Sequence, residues 1–277
     1  VLYPITYNDG FQISWSQNND DDFGSYKLYE SKLEDMRYLK MVYETDDRVN
    51  TTFFLTLEAL KYYQIVVEDI WGLQSTSNIA VGDFYLELWG NDYSTLNTDS
   101  LDLPYNSLTG SIPPEIGSLT NLTYINLYNN YLTGSIPPEI GNLINLNSLI
   151  LNNNQLTGEI PSEIRNLTNL TRLIIGGNQF TGSIISEIWK LTNLTHLSLE
   201  YNQLTGEILS EMEKLTNLTH LYLSSNQLTG AIPENICDLN ISWSSSHYFN
   251  IYNNQLCPPY PSCIENYVGD QNMSDCP

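Results

Sequence analysis

The sequence predicts a β-sandwich followed by an α/β solenoid with a parallel β-sheet and a disulfide-stapled C-terminal cap. Three observations predict it. Short alternating apolar segments fill the first part, a 24-residue period fills the second, and all four cysteines stand in the last 41 residues. The boundaries read as residues 1–83, 84–256 and 257–277.

The first part lacks the period. FQISWSQ (11–17), SYKLYES (25–31), KMVYET (40–45), TTFFLTL (51–57) and YYQIVVED (62–69) are strand-like runs between polar turns, the spacing of a sandwich. The layout resembles a fibronectin type III domain. By that resemblance Trp15 is the core tryptophan of the second strand, Leu60 with Tyr63 the tyrosine corner, and WGLQSTS (71–77) the turn into the last strand. VLYPITY (1–7) is either the sandwich's own first strand or a strand that joins another copy.

In the second part Leu-Thr-Gly recurs from Leu108, Leu132, Leu156, Leu204 and Leu228, with Phe180-Thr-Gly filling the gap. Two residues before each stands an asparagine: Asn106, Asn130, Asn154, Asn178, Asn202 and Asn226. Ahead of each asparagine is an apolar pair two residues apart, from Leu101/Leu103 to Leu221/Leu223, so its members point inward from a short strand. A four-residue insertion precedes a seventh, irregular unit with Phe249, Ile251, Asn254 and Leu256. No coil buries its apolar edge alone; stacked coils bury it together and line their strands into one parallel sheet. The recurring asparagine turns the chain out of the strand, and its amide can bond backbone groups of adjacent coils.

This pattern resembles the plant-specific class of leucine-rich repeats, best in LINLNSLILNNNQLTGEIP (143–161), and the resemblance covers about residues 84–260. It implies a second short strand at TGxIP and a twisted superhelix. Ile112-Pro113, Ile136-Pro137, Ile160-Pro161 and Ile232-Pro233 match, whereas Ile184-Ile185 and Ile208-Leu209 lack the proline. The family makes receptor ectodomains and inhibitors, so the resemblance implies binding rather than catalysis.

Cys237, Cys257, Cys263 and Cys276 allow three pairings, of which the sequential one, 237 with 257 and 263 with 276, is preferred. An even count clustered at one end points to an oxidising, extracellular compartment. A zinc site is the rival, but no CxxC occurs and His247 is the only imidazole nearby. The start at Val1 reads as that of a mature or excised product whose export signal is already removed.

Acidic residues outnumber basic ones 32 to 10, for a net charge of −22. Such a surface repels phosphate backbones and anionic lipid, which argues against nucleic acid and membrane surfaces as partners. No run of about 18 apolar residues is present for membrane insertion. Enzyme signatures (GxSxG, HExxH, Walker loop) are also missing. Asp20-Asp21-Asp22 and Asp46-Asp47 could hold Ca²⁺ through carboxylate oxygens, but without a ligand loop of defined spacing they read as solvated acidic loops, and no cofactor is expected.

The candidate binding residues project from the sheet: Tyr124, Tyr128, Ile150, Ile174, His196, Glu200, Tyr201, His220 and Tyr222. Exposed isoleucines flanked by Tyr and His form the kind of patch that partners use, although repeat surfaces also carry scattered apolar residues. His196 and His220 should lie side by side, and with Glu200 they could catch a metal; repetition of Thr-His-Leu explains the spacing equally well, and no metal is expected. The partner is a protein, a glycan, or another copy of the chain in a fibre or surface layer. Asn-x-Ser/Thr sequons at Asn50, Asn121, Asn166, Asn169, Asn193, Asn217, Asn240 and Asn272 are candidate glycan acceptors. Four of them, Asn121, Asn169, Asn193 and Asn217, share one phase of the repeat, and Asn145 breaks the series because Asn147 follows where Thr is needed.

Overall fold

The computed structural model describes residues 6–7, 11–15, 17, 21, 23–31, 40–47, 49, 52–55, 62–71, 73–81, 85–184, 186–274 and 276. Asp20, Asp22, Asn50, Leu60 and Ile185 therefore lie outside the described residues, as do residues 1–5 of the VLYPITY segment. The chain divides into two compact units, residues 1–87 with 91–96, and residues 88–90 with 97–277.

The N-terminal unit contains β1 (Thr6–Tyr7), β2 (Phe11–Ser14), β3 (Phe23–Ser31), β4 (Lys40–Thr45), β5 (Thr52–Leu55), β6 (Tyr62–Asp69) and β7 (Gln74–Val81). They form two antiparallel sheets, in the orders β1-β2-β5 and β4-β3-β6-β7. Trp15, buried just past β2, meets Tyr26 of β3 edge-on at 5.5 Å and so ties the first sheet to the second. Between β6 and β7 the Asp69 carboxylate accepts the N–H groups of Trp71 and Leu73 at 2.9 and 2.8 Å, which shapes that turn.

The second unit is a solenoid. Its main sheet has seven parallel strands, one per coil: Ser100–Asp102, Tyr124–Asn126, Ser148–Ile150, Arg172–Ile174, His196–Ser198, His220–Tyr222 and Phe249–Asn250, taken as coils 1 to 7. Each of the first five pairs in register with the strand 24 positions on, as in Leu149 with Leu173; the step from Leu221 to Phe249 absorbs the insertion. The inward-pointing residues at the centre of these strands, among them Ile125, Leu149, Leu173, Leu197 and Leu221, are fully buried in the stacked core.

The asparagine ladder is realised coil by coil. Asn154 accepts the N–H of Leu132 in the coil before it at 3.0 Å and donates to the carbonyls of Leu127 and Leu151. Asn130, Asn178, Asn202, Asn226 and Asn254 repeat that arrangement. A backbone that would otherwise be orphaned inside the array is thereby paired. At the end of the array Gln271 of the cap takes the same role. Its Oε1 accepts the N–H of Leu256 at 3.3 Å and its Nε2 donates to Ile251 and Val268.

Two features differ from the sequence-based expectation of an α/β solenoid. Among the described residues the helical segments opposite the sheet are single 3₁₀ turns, such as Pro138–Asn142 and Ser162–Asn166. Only a few residues separate the proline from the next core leucine, and Leu143 N–H already closes on the carbonyl of Ile140 at 3.1 Å, so no α-helix can nucleate. The second strands form three small parallel sheets: Thr109–Ser111, Thr157–Gly158 and Thr205–Glu207 begin at the Thr of TGxIP, whereas Tyr131–Thr133 and Gln227–Ala231 begin two residues before it. The Leu-Thr-Gly glycines hold φ between 73° and 81° from Gly110 to Gly230, a left-handed conformation that explains why glycine recurs there.

The disulfides correct the sequential pairing. Cys237 bonds Cys263 and Cys257 bonds Cys276, with Cα separations of 5.7 and 5.5 Å. Cys237 sits in the last 3₁₀ turn, on coil 6, and Cys257 ends the last strand, on coil 7. Each then meets a different part of the returning chain.

Candidate functional site

The projecting face of the main sheet gathers the candidates. Tyr124, Tyr128, Ile150, Ile174, His196, Glu200, His220 and Tyr222 are all half-buried there, and Tyr201 is exposed. Ile150 and Ile174, expected to be exposed, are partly covered because each is flanked in register by the next strand's side chain. The face therefore offers two half-covered isoleucines rather than two protruding side chains.

At coils 5 and 6 the rings of His196 and His220 stack with centroids 3.9 Å apart and planes 11° apart, and Tyr248 closes on His220 at 4.9 Å. Each imidazole Nδ1 lies 2.8 Å from the hydroxyl of the threonine before it. Those hydroxyls already donate their protons to backbone carbonyls, Thr195 to Thr171 and Thr219 to Thr195, at 3.0 and 3.1 Å. Burial, His220 and Arg172 push the His196 imidazole down to about 4, and burial with Arg172 also lowers His220. The pair is neutral at pH 7.

Glu200 is taken up by Ser198, whose hydroxyl donates to it at 2.6 Å. Among the described residues no group of three or more His, Cys, Asp or Glu gathers as a metal site. Tyr201 reaches over the intervening coil to place its hydroxyl 2.9 Å from that of Tyr252. Tyr222 donates to the backbone carbonyl of His247.

Backbone geometry singles out one column. The residue before each ladder asparagine has positive φ in every coil: Tyr105, Asn129, Asn153, Gly177, Tyr201, Ser225 and Asn253. Glycine and asparagine tolerate that conformation, whereas a tyrosine there is strained. Tyr105 and Tyr201 nevertheless occupy it, both largely exposed, and Tyr105 packs edge-on against Tyr128 at 5.0 Å. Strained side chains displayed to solvent are a mark of recognition surfaces. Tyr105, Tyr248 and Tyr252 are absent from the candidates that the sequence suggests. Spacing alone marks Tyr105, which stands four whole repeats before Tyr201.

The sequon column has a structural use of its own. The amides of Asn169, Asn193 and Asn217 donate to the carbonyls of Ile144, Thr168 and Thr192 in the preceding coil, at 2.8–2.9 Å. Asn145, which is not a sequon, makes the same bond to Thr120 at 3.0 Å. Asn121, Asn166, Asn240 and Asn272 are also exposed.

These features define a solenoid that displays side chains from a parallel sheet. A family model for a leucine-rich repeat region matches residues 100–242, just over half of the sequence, and the chain belongs to that family. Among solved structures it is similar to the Arabidopsis receptor kinase HAESA in complex with the peptide hormone IDA and the co-receptor SERK1. There the identity is 33% and the TM-score 0.58, covering 64% of this chain and 30% of that one. The PEPR1–AtPEP1 complex is 40% identical with a TM-score of 0.54, covering 57% of this chain and 22% of that one. The ectodomain of GASSHO1/SCHENGEN3 from Arabidopsis thaliana, in complex with CASPARIAN STRIP INTEGRITY FACTOR 2, is 34% identical with a TM-score of 0.51, over 59% and 22% of the two chains. This chain spans less than a third of each of those proteins. No curated protein matches the sequence. No helix among the described residues is long and apolar enough to cross a membrane.

Proposed function

We propose that this protein is a non-catalytic extracellular or cell-surface binding module, and that its ligand is a protein or peptide lying across the sheet face from coil 2 to coil 6. The observation that carries the reading is the strip Tyr124, Ile150, Ile174, His196, His220 and Tyr222, whose side chains are only half-covered, with the charged Arg172 and Glu200 beside it. Four strand spacings make such a track roughly 19 Å long, enough for an extended peptide. Aromatic side chains anchor partners at low entropic cost, and the strip is rich in them. The solved relatives in complex with IDA and AtPEP1 support a peptide over a glycan. The two disulfides agree with an extracellular setting. A fibronectin type III-like reading of the N-terminal unit is supported by its three- and four-stranded antiparallel sheets and by buried Trp15.

Replacing Ile150→Asp together with Ile174→Asp should abolish capture of the partner while leaving the thermal transition of the solenoid in place. Undiminished capture would sink this face as the site. A glycan partner, or a fibre built from copies of the chain, are the rival outcomes, read from glycan binding and from negative-stain images across salt and calcium conditions. The sequons remain glycan acceptors in this reading, because a modified amide keeps one N–H for the carbonyl of the coil before it. Intact mass before and after enzymatic deglycosylation tests that, and an unchanged mass refutes it.

A further inference from the structure

We infer that the peptide crosses coil 4 with a cationic side chain, arginine or lysine, which the Glu200 carboxylate receives over the bare backbone of Gly176 and Gly177. The inference rests on the peptide-binding reading above and names the residue type that the face selects. The two glycines fall where other coils carry side chains, Gly176 in the column of Tyr128, Asn152, Glu200 and Tyr252, and Gly177 in that of Tyr201. Neighbours lean into the space from both sides. A Cβ on Gly176 would stand 2.9 Å from Oε1 of Glu200 on coil 5, and one on Gly177 would overlap Oδ1 of Asn153 on coil 3. Hydrogen-bond acceptors from coils 3 and 5 thus lie over a stretch of coil 4 that has no side chain of its own.

Glu200 is half-buried and accepts the Ser198 hydroxyl at 2.6 Å. Among the described residues no lysine or arginine forms an ion pair with it. Arg172, the cation on the strand of coil 4, stands on the other side of Ile174 from Gly176. A peptide lying on the strip covers this carboxylate further, and a carboxylate taken out of water without a counter-charge is heavily penalised. An apolar residue at that point leaves it unpaired and an acidic one repels it, whereas a guanidinium or ammonium supplies both charge and donors. The rings nearby suit the same guest. Tyr201 is next in the chain and exposed, its hydroxyl bonded to that of Tyr252, and aromatic faces attract cations. The Tyr222 phenol is pushed up by burial and then by the charge of Glu200, so the carboxylate's field reaches that ring as well. The net charge of −22 draws a basic peptide in from a distance, and Glu200 fixes where its charge comes to rest.

Panning random peptides of one fixed length, displayed on phage, against the immobilised full chain tests this at about 0.15 M salt, where attraction beyond roughly 8 Å is screened. Captured peptides should carry arginine or lysine at one fixed position, and Glu200→Gln should erase that preference. For a captured peptide measured by calorimetry, Glu200→Gln should weaken binding by roughly tenfold or more. Changing the peptide's basic residue to glutamine should weaken it as much, with little further loss when both changes are combined. Glu211→Gln, the same charge change in the 3₁₀ turn opposite the sheet, should alter neither the preference nor the affinity. Capture that Ile150→Asp with Ile174→Asp abolishes, but that shows no fixed basic position or keeps one in Glu200→Gln, overturns this inference and leaves the face as the binding site. Capture of nothing by the parent chain, or capture unaffected by that double replacement, overturns both.

Discussion

Asn178 accepts the backbone N–H of Leu156 on its Oδ1 at 3.0 Å, joining coil 4 to coil 3 from inside the array. The same amide donates to Leu151 and Ile175, carbonyls that Asn154 and Asn202 also serve. Asn178→Ala therefore orphans chiefly one buried N–H, a loss of about 1–3 kcal/mol. Asn178→Asp should be worse at pH 7, because a carboxylate cannot donate to the carbonyls. The fold raises that carboxyl's pKa, so the penalty stands above the raised value and eases as pH falls through it. Urea unfolding at two pH values checks both the order and the sign.

Tyr201 holds φ of 53° where asparagine stands in coils 2, 3 and 7. Tyr201→Asn should raise stability by about 1 kcal/mol through relief of that strain, a shift of roughly 2–4 °C in Tm. It should also weaken capture of the partner, since the ring and its bond to Tyr252 are removed. A scanning-calorimetry gain without loss of binding would show that the strain serves no recognition.

The histidine pair makes the fold sensitive to acid. Unfolded histidine has a pKa near 6.5 and His196 in the fold about 4, so the unfolded chain takes up its proton first. This contribution to stability is complete above about 6.5 and is lost as pH falls from there toward 4. The His196→Gln/His220→Gln variant should lose less Tm than the parent between pH 7 and pH 4.5. Equal losses would assign the acid sensitivity to the carboxylates alone.

The cap should be separable from the rest. Disulfides closing loops of 26 and 19 residues contribute about 3 kcal/mol each in the chain-entropy account. Reduction should loosen coil 7 and the cap before the inner coils, which amide hydrogen exchange resolves. Peptide mapping without reduction should recover Cys237 with Cys263 and Cys257 with Cys276.

What the sequence made legible followed from repetition. A period of 24 forces Leu149 opposite Leu173 and His196 opposite His220, so register and ring proximity could be read from spacing alone. β4 and β6 likewise match KMVYET and YYQIVVED residue for residue. Features decided by contacts beyond the period were not legible. Disulfide partners depend on how the last turn folds back, and the 3₁₀ turns on how little chain lies between proline and leucine. Gln271 lies outside the repeat, so no pattern marked it as the last rung of the ladder.

That last rung gives the solenoid a polarity. Every coil is completed by an amide from the coil after it, and the series stops only because Gln271 supplies the final one. The opposite end has no such dependence: Asn106, with no earlier coil to complete, stands exposed and bonds its own Pro104. The two ends are thus unequal as places to cut or lengthen the chain. Whole repeats can be spliced out of the middle with the ladder rejoined, whereas shortening from the front bares the apolar edge of the next coil but leaves the amides behind it in place. Shortening from the back leaves a coil waiting for its closing amide, so the protein is assembled like a row of hooks with one terminal clasp.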